Sequence, residues 1–253
     1  MKLNNNPSIK AQSGLQVFQL PVLQDNYIYI LRDESTQKTA VVDPALPEPV
    51  NLFLKEKNWK LDFIFTTHHH WDHTGGNIKL KKKWNCPIFG FVEDTHRIPG
   101  IDTHLQEGEQ FSFGKFPCRI LFLPGHTLGH IAYWFFEEKK LFIGDTLFAM
   151  GCGRLFEGSP QQMFASLNQI KSSPPETEIF CAHEYTEKNG HFALSVDPQN
   201  KNLKNRMTEV KANRKKNKPT VPFFLSEELK TNPFLRATTL EEFTQLRKKR
   251  DFF

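Results

Sequence analysis

One short segment constrains this chain more than any other. Residues 67–77 read T-H-H-H-W-D-H-T-G-G-N and place four histidines and one aspartate within six residues. The segment directly follows the apolar run Phe63-Ile64-Phe65, which predicts a buried strand. Side chains alternate along an extended chain, so His68 and His70 project to one side and His69 to the other. The sequence therefore predicts a cluster of metal ligands at the end of a strand.

A turn after His70 would bring Asp72 and His73 toward the same point, with Asp72 as the cap of a helix that begins near His73. Imidazole and carboxylate groups together suit zinc, iron or manganese. One ion does not need four ligands from a single turn, so we expect two metal ions. An expression tag would be terminal and uninterrupted. A zincin helix would need glutamate directly after its first histidine, where this chain has His70.

Three further polar residues follow apolar runs at glycine-containing or short loops. They are His126 in P-G-H-T, Asp145 in G-D-T and His183 in A-H-E. A polar residue at the end of a buried strand lies at a sheet edge, where loops meet ligands. A single one would be weak support, but three of them together with residues 68–73 predict one constellation.

The rest of the chain predicts a mixed α and β architecture. Alternating or apolar runs predict strands at 15–20, 27–31, 39–42, 63–65, 87–91, 111–113, 119–123, 131–136, 141–143 and 179–180. Helical spacing predicts helices at 47–58, 72–84, 160–171, 203–216 and 240–250, and strand signals disappear beyond about residue 187. The length of 253 residues suits one sizeable domain with an appendage.

Composition limits the compartment and the partners. The apolar runs are too short to span a bilayer, and the N-terminus has no apolar signal region, so we expect a cytoplasmic protein with no membrane partner. The four cysteines are well separated and predict free thiols. Residues 201–253 hold 14 Lys or Arg and 6 Asp or Glu, a net charge of +8, so this basic part must meet an anionic group or be solvated.

With T-H-H-H-W-D-H, P-G-H-T, G-D-T-L-F and A-H-E-Y-T in this order, the chain resembles the metallo-β-lactamase superfamily, and within it the glyoxalase II (hydroxyacylglutathione hydrolase) family. The match covers residues 15–253. The resemblance implies an α+β fold, a four-layer αββα sandwich followed by a small C-terminal helical domain. We expect a polar extension at 1–14, the sandwich at 15–185 and a helical substrate-binding domain at 186–253.

The resemblance also implies the ligands. It assigns His68, His70 and His126 to one divalent ion, Asp72, His73 and His183 to the other, and Asp145 as the bridge. Zinc is expected, with iron or manganese as alternatives. The implied reaction is hydrolysis of S-D-lactoylglutathione to glutathione and D-lactate, with Asp72 and Asp145 as catalytic residues. This is the second step of methylglyoxal detoxification.

The family's substrate contacts fall on three segments of this chain. They are Arg154, Leu155 and Phe156; His183, Glu184 and Tyr185; and Arg247, Lys248, Lys249 and Arg250. The arginine fork suits the carboxylates of glutathione. The chain departs from the eukaryotic pattern with Phe156 in place of a tyrosine and Arg154 in place of a lysine. The lost hydroxyl removes one hydrogen bond of about 0.5–1.5 kcal/mol.

Other functions fit the sequence less well. The basic C-terminal part suggests a nucleic-acid phosphodiesterase of the same superfamily, but it lacks an aromatic and basic stacking pattern. A mononuclear iron sulfur dioxygenase would dispense with ligands that this chain keeps, and a β-lactamase is disfavoured by His73 and Asp145. A purely structural zinc site would be rich in cysteine. We therefore expect a monomeric thioesterase that takes a glutathione thioester and no nucleic acid.

Overall fold

The computed structural model describes residues 14–253. The extension predicted at 1–14 lies outside the described residues apart from Gly14. The first sheet contains, in spatial order, β1 (Gln16–Val22), β2 (Asn26–Asp33), β3 (Lys38–Val42), β4 (Phe63–Phe65), β5 (Ile88–Phe91) and β6 (Thr103–Leu105). The later strands are β7 (Gln110–Phe113), β8 (Phe116–Phe122), β9 (Ile131–Phe135), β10 (Lys140–Gly144), β11 (Leu147–Phe148), β12 (Gly151–Cys152), β13 (Glu178–Cys181) and β14 (Phe223–Phe224).

The second sheet has the order β14-β13-β10-β9-β8-β7, and β11 pairs with β12 in a separate ribbon. The first three strands form an antiparallel meander, as predicted, and β3 to β6 are parallel. In the second sheet only β10 and β13 pair in parallel. The helices are α1 (Pro47–Lys57), α2 (Trp71–Thr74), α3 (Asn77–Trp84), α4 (Pro160–Lys171), α5 (Thr186–Val196), α6 (Lys201–Lys215), α7 (Leu225–Thr231), α8 (Pro233–Arg236) and α9 (Leu240–Asp251).

The central strands of the first sheet, β2 to β5, bury apolar side chains on both faces. In β2, Tyr29 and Leu31 belong to the core between the two sheets, while Ile28 and Ile30 face a second core with α1 and α3. The same alternation separates Phe65 from Ile64 in β4. A period of two with both sides buried is what a sheet covered by helices requires. The predicted αββα sandwich is therefore confirmed.

The predicted helix at 72–84 is in fact two helices. α2 begins at Trp71 with His70 at its N-cap, so Asp72 lies in the first turn and is not the cap that we expected. The two helices are separated by Gly75 and Gly76. A side chain at Gly76 would place its Cβ 2.6 Å from the carbonyl oxygen of Pro44, and the Gly76 amide donates to that oxygen at 2.7 Å. The break lets the loop after β3 approach the metal-site segment closely.

The C-terminal region is helical, as predicted, with one exception. Phe223 and Phe224 form β14 and extend the second sheet by pairing with β13, so the prediction of no strand beyond residue 187 is wrong. Two residues carry too little alternation to be seen in a sequence pattern. Phe234 and Phe243 pack in the same core as the sandwich. The division at residue 185 therefore remains a prediction, since the two parts share their hydrophobic core.

Two compositional predictions can be compared with the structure. Cys86, Cys118, Cys152 and Cys181 are all buried and unpaired, which confirms the expected free thiols. Within residues 14–253, no helix is both long and apolar enough to cross a membrane.

Candidate metal centre and the cavity around it

The predicted ligands converge at one edge of the sandwich, where several strands of both sheets end. The loop after β4 carries His68 and His70, α2 carries Asp72 and His73, and the loops after β8, β10 and β13 carry His126, Asp145 and His183. The two sheets are tied together at this edge, because the Tyr27 amide donates to the carbonyl of Ala182 at 2.8 Å. Beside this bond, Asp25 and His183 are also in contact, although they lie 158 positions apart along the chain.

The first group is a trio of imidazoles. Nδ1 of His70 lies 3.1 Å from Nε2 of His68 and 3.1 Å from Nε2 of His126. Their ligand atoms all lie within 4.8 Å of one another. Three ring nitrogens that face each other at this spacing are typical of ligands around one cation.

The second group combines a carboxylate with two imidazoles. Oδ2 of Asp72 lies 3.5 Å from Nε2 of His73 and 3.5 Å from Nε2 of His183. Asn26 orients this carboxylate, since its amide donates to Oδ2 at 3.0 Å. A third trio of Asp43, His68 and His73 has similar spacing. The Asp43 carboxylate, however, is already engaged by hydrogen bonds described below.

Asp145 lies between the two groups. Its Oδ2 is 3.4 Å from Nε2 of His126 in the first group and 3.4 Å from Nε2 of His183 in the second. Its Oδ1 is 3.6 Å from Nε2 of His73. Two ligand atoms that each lie about 2.0–2.1 Å from a tetrahedral zinc are separated by about 3.4 Å, so these separations suit coordination to shared ions.

Unpartnered polar atoms support a metal at this position. Nε2 of His73 and Oδ1 of Asp145 are buried and find no hydrogen-bond partner among residues 14–253. An unpartnered buried polar atom is costly unless an unseen group completes it. The donor set of imidazole nitrogens and carboxylate oxygens therefore fits two divalent cations.

Hydrogen bonds on the far side of each ring fix which nitrogen is free. Nδ1 of His73 donates to Asp43 at 3.1 Å, Nδ1 of His126 donates to the carbonyl of Arg154 at 2.8 Å, and Nδ1 of His183 donates to Asp25 at 2.9 Å. A ring that carries its proton on Nδ1 presents a lone pair on Nε2. The three Nε2 atoms consequently point into the site as ligand atoms.

Burial and neighbouring charges shift the pKa values of the residues in the site in different directions. Burial, and then the neighbouring His126, lower the pKa of His70 to about 4. For His73, burial disfavours the protonated form, but Asp145, Asp43 and Asp72 outweigh it and raise its pKa well above the usual value, so a cation that binds Nε2 would displace a proton from it. For Asp145, burial is likewise outweighed by His183 and His73, and its pKa is well below the usual value. The carboxylate at the centre of the site is therefore ionised.

Three supporting residues were missed by the sequence reasoning. Asp43 accepts hydrogen bonds from the amide and the hydroxyl of Thr67 at 2.8 and 2.7 Å. Its position directly after β3 is the same signal that marked Asp145, so the sequence could have found it. Asp25 and the fully buried His130, whose Nε2 accepts from the Asp145 amide at 3.1 Å, gave no comparable signal.

A cavity of about 460 Å³ opens onto the ligands. Its wall is aromatic on several sides, with Trp71, Phe148, Phe156 and Tyr185, and Arg154 lies at the same opening. The ring of Tyr185 stacks on the His183 ring with 4.7 Å between centroids. Trp71 and Phe156 are 70% and 61% exposed, so their faces are available to a ligand.

The structure places four of the ten predicted substrate residues at the cavity and six elsewhere. Arg154, Phe156, His183 and Tyr185 line the cavity, whereas Leu155, Glu184, Arg247, Lys248, Lys249 and Arg250 are not among its lining residues. Glu184 instead accepts hydrogen bonds from Tyr27 at 2.7 Å and from the Thr220 amide at 2.8 Å. It joins β2 to the C-terminal region.

The basic segment of α9 has several separate roles. Arg247 is 6% exposed and donates to the carbonyl of Cys152 at 2.9 Å. Arg250 donates to the side chain of Asn189 at 3.3 Å and is partly exposed, while Lys248 and Lys249 are exposed. Arg247 thus acts on the loop that leads to Arg154, which the sequence could not reveal because spacing alone does not show what a helix faces.

Comparison with protein families divides the chain into two matches. Residues 21–183 match the model of the metallo-β-lactamase superfamily, and residues 184–253 match the model of the hydroxyacylglutathione hydrolase C-terminus. Curated relatives named hydroxyacylglutathione hydrolase include one from Methylococcus capsulatus, 47% identical over 94% of this chain and 99% of the relative. Another from Rhodospirillum rubrum is 48% identical over 95% of this chain and 100% of the relative.

Solved structures of the same fold are more distant in sequence. ETHE1 from Myxococcus xanthus superposes with a TM-score of 0.72 at 23% identity, covering 92% of this chain and 90% of that one. TTHA1623, solved in a di-iron-bound form, gives a TM-score of 0.60 at 24% identity and covers 87% of this chain and 99% of that one. What these two proteins share with this chain is the sandwich fold.

Proposed function

The chain belongs to the metallo-β-lactamase superfamily and, within it, to the hydroxyacylglutathione hydrolase family, and from this membership we propose that it hydrolyses S-(2-hydroxyacyl)glutathione thioesters to glutathione and a 2-hydroxy acid. The substrate expected first is S-D-lactoylglutathione, which yields D-lactate. Both the metal-site half and the C-terminal half of the chain match the family, so the assignment does not depend on the histidine cluster alone.

One observation of the structure carries the proposal. Asp145 lies 3.4 Å from a histidine of each ligand group, inside a cavity that Arg154 and Tyr185 also line. This arrangement combines a two-metal hydrolytic site with groups that suit a peptide-like, anionic substrate.

The ligand assignment is part of the proposal. His68, His70 and His126 would hold one ion, Asp72, His73 and His183 the other, and Asp145 would bridge them. The distances, the free Nε2 atoms and the unpartnered atoms of His73 and Asp145 support it. Zinc suits this nitrogen and oxygen donor set, and iron or manganese would suit it as well.

When bound, two divalent ions would lower the pKa of a shared water and polarise the thioester carbonyl. The chain's own groups then do the rest. Asp72, held by Asn26 at 3.0 Å, accepts a hydrogen bond from the attacking water and orients it toward the carbonyl carbon. The water loses a proton to solvent as its oxygen forms a bond to the carbonyl carbon, and the carbon–sulfur bond then breaks. Glutathione leaves as the thiolate, and the 2-hydroxy acid is the other product.

Recognition of glutathione falls to residues at the rim of the cavity. The Arg154 side chain is 64% exposed and its guanidinium lies 5.6 Å from the centroid of the Phe156 ring, so it can pair with a substrate carboxylate. Tyr185 lines the same cavity and would offer its ring and hydroxyl to the substrate. Arg250, Lys248 and Lys249 remain proposed substrate contacts. Arg247 would act indirectly, through its hydrogen bond to the Cys152 carbonyl. Leu155 and Glu184 do not line the cavity and would act through the neighbouring residues that do.

The compartment and the oligomeric state of the enzyme are also proposals. We infer a cytoplasmic monomer, a setting that the four buried free thiols support because unpaired cysteines are usual in a reducing compartment. We further propose that the basic C-terminal part serves a small anionic substrate and takes no nucleic acid.

The test is a direct assay with metal analysis. Purified protein with two metal ions per chain should release free thiol from S-D-lactoylglutathione and leave RNA and single-stranded DNA intact. Cleavage of either nucleic acid without thiol release would overturn the proposal in favour of a phosphodiesterase.

A further inference from the structure

His69 is the one histidine of the 68–73 cluster that the ligand set does not use. Its ring is turned away from the site, with Nδ1 3.1 Å from Oδ2 of Asp94 and Nε2 3.4 Å from Oε1 of Glu157. The side chain is 17% exposed and Asp94 is fully buried. A partly buried imidazole between two carboxylates is a built contact, which a solvated surface histidine would not make.

A third charged residue closes this arrangement into a network. Arg97 donates through Nε to Oδ1 of Asp94 at 2.8 Å and through NH1 to Oε1 of Glu157 at 2.6 Å. Asp94 and Glu157 therefore each contact both His69 and Arg97. Glycine at position 129 leaves room for the Asp94 carboxylate, since a Cβ there would lie 2.3 Å from Oδ1 of Asp94.

Glu157 connects the network to the two loops that build the cavity. Its Oε2 accepts a hydrogen bond from the Leu128 amide at 2.8 Å, in the loop that carries His126. The same two loops are joined beside it, because the Phe156 amide donates to the carbonyl of His126 at 3.2 Å and the Gly158 amide donates to the carbonyl of Gly125 at 3.0 Å. The Glu157 side chain thus adds a third link between the segment 154–158 and the loop that carries His126.

We propose that His69 is a positioning residue that, through Asp94, Arg97 and Glu157, holds the segment 154–158 against the loop that carries His126. It would thereby set the position of Arg154 and Phe156 relative to the substrate. The network ties the histidine-rich turn, the turn at Val92–Asp94 and the cavity wall into one unit. This inference rests on the proposed function for its kinetic consequence. The structural link itself does not depend on which thioester is the substrate.

The experiment compares two disrupting variants with one matched control. His69→Ala removes the imidazole, and Glu157→Gln keeps the size of the side chain but removes its charge at a position outside the ligand segments. His96→Ala is the control, because His96 is an exposed histidine in the turn between Asp94 and Arg97. Each protein is assayed for thiol release, metal content and amide hydrogen exchange.

Both disrupting variants should raise KM for S-D-lactoylglutathione about three- to tenfold with kcat changed less than about twofold, because a remote contact acts on ground and transition states alike. They should retain two metal ions per chain, and the peptide covering 153–158 should exchange its amides faster than in the wild type. His96→Ala should match the wild type in all three measurements.

Two outcomes would overturn the inference. If KM and hydrogen exchange are unchanged in both disrupting variants, His69 has no positioning role. If kcat falls at constant KM with loss of metal, His69 supports the ligands and not the wall. A wild type that releases no thiol would refute the proposed function, and the exchange measurement would still decide whether His69 holds the segment.

Discussion

Nδ1 of His73 donates to Oδ2 of Asp43 across 3.1 Å, although the two residues are 30 positions apart in the chain. The same carboxylate accepts from the Thr67 amide and hydroxyl. One buried aspartate therefore sets the orientation of a proposed ligand and anchors the residue that precedes His68. Supporting groups of this kind fix the tautomer and the orientation of a metal-binding histidine and raise its basicity.

Asp43→Ala should weaken metal binding without removing any proposed ligand. The variant leaves two groups of Thr67 and one of His73 without an acceptor, and we expect metal affinity to fall about 10–100-fold. Calorimetric titration of zinc into the apoprotein measures this change in affinity. Asp43→Asn keeps one acceptor oxygen and should lie between wild type and Asp43→Ala. Equal affinities in all three proteins would contradict the supporting role.

Asp145→Ala should abolish turnover, because both ions would lose the carboxylate that lies between His126 and His183. We expect kcat to fall about 1000-fold or more, with metal content below two ions per chain. Asp145→Asn retains the shape of the side chain and should be almost as inactive, since a neutral amide is a weak metal ligand. Full thioesterase activity in a variant that holds no metal would sink the dinuclear mechanism.

Short-range rules in the sequence were sufficient for most strands and helices and for the expected meeting of residues 68–73 with His126, Asp145 and His183. The sandwich itself follows from the resemblance of the motifs to the metallo-β-lactamase superfamily. Alternation within β2 and β4 specifies which side chains face each core, and polar residues after apolar strands indicate the sheet edge. The separation of His69 from its neighbours follows from the same alternation. What these rules cannot supply is the partner of a side chain that lies far away in the sequence.

Long-range partners explain the differences from the prediction. Arg247 belongs to a basic run that resembles a solvated helix face, and only the packing of α9 shows it against the carbonyl of Cys152. Gly75 and Gly76 break a helix because the loop after β3 lies against them. Glu184 looked like a substrate contact beside His183, yet its side chain turns toward Thr220.

Arg247 and Arg250 should respond differently to truncation, although they are three residues apart. Arg247→Ala leaves the buried carbonyl of Cys152 unpaired, which costs about 1–3 kcal/mol of unfolding free energy. That loss lowers Tm by about 2–4 °C per kcal/mol in a chain of this size. Arg250→Ala should leave Tm nearly unchanged and raise KM more than it lowers kcat. An unchanged KM in Arg250→Ala would mean that this arginine is only solvated.

Asp33, the last residue of β2, joins the first sheet to the second. It ends β2 and accepts hydrogen bonds from the Ser35 amide at 2.9 Å, the Thr36 hydroxyl at 2.8 Å and, from the turn between β7 and β8, the Lys115 amide at 2.8 Å. Burial of Asp33 favours its neutral form, but these donors outweigh it and lower its pKa from 3.8 to about 2. A depressed carboxyl pKa stabilises the fold above the unfolded value.

Asp33→Asn should therefore destabilise the protein at pH 7 by about 1–3 kcal/mol, because buried donors lose part of their acceptor. The stabilisation is fully present above the unfolded pKa of 3.8 and is lost as the pH falls through about 2, so the difference between wild type and variant should shrink over this range. Denaturant unfolding at several pH values measures it. Glu137→Gln, which changes an exposed glutamate in the turn between β9 and β10, is the control and should change the free energy of unfolding little. A difference that stays constant from pH 7 to pH 2 would show that the Asp33 charge does not stabilise the fold.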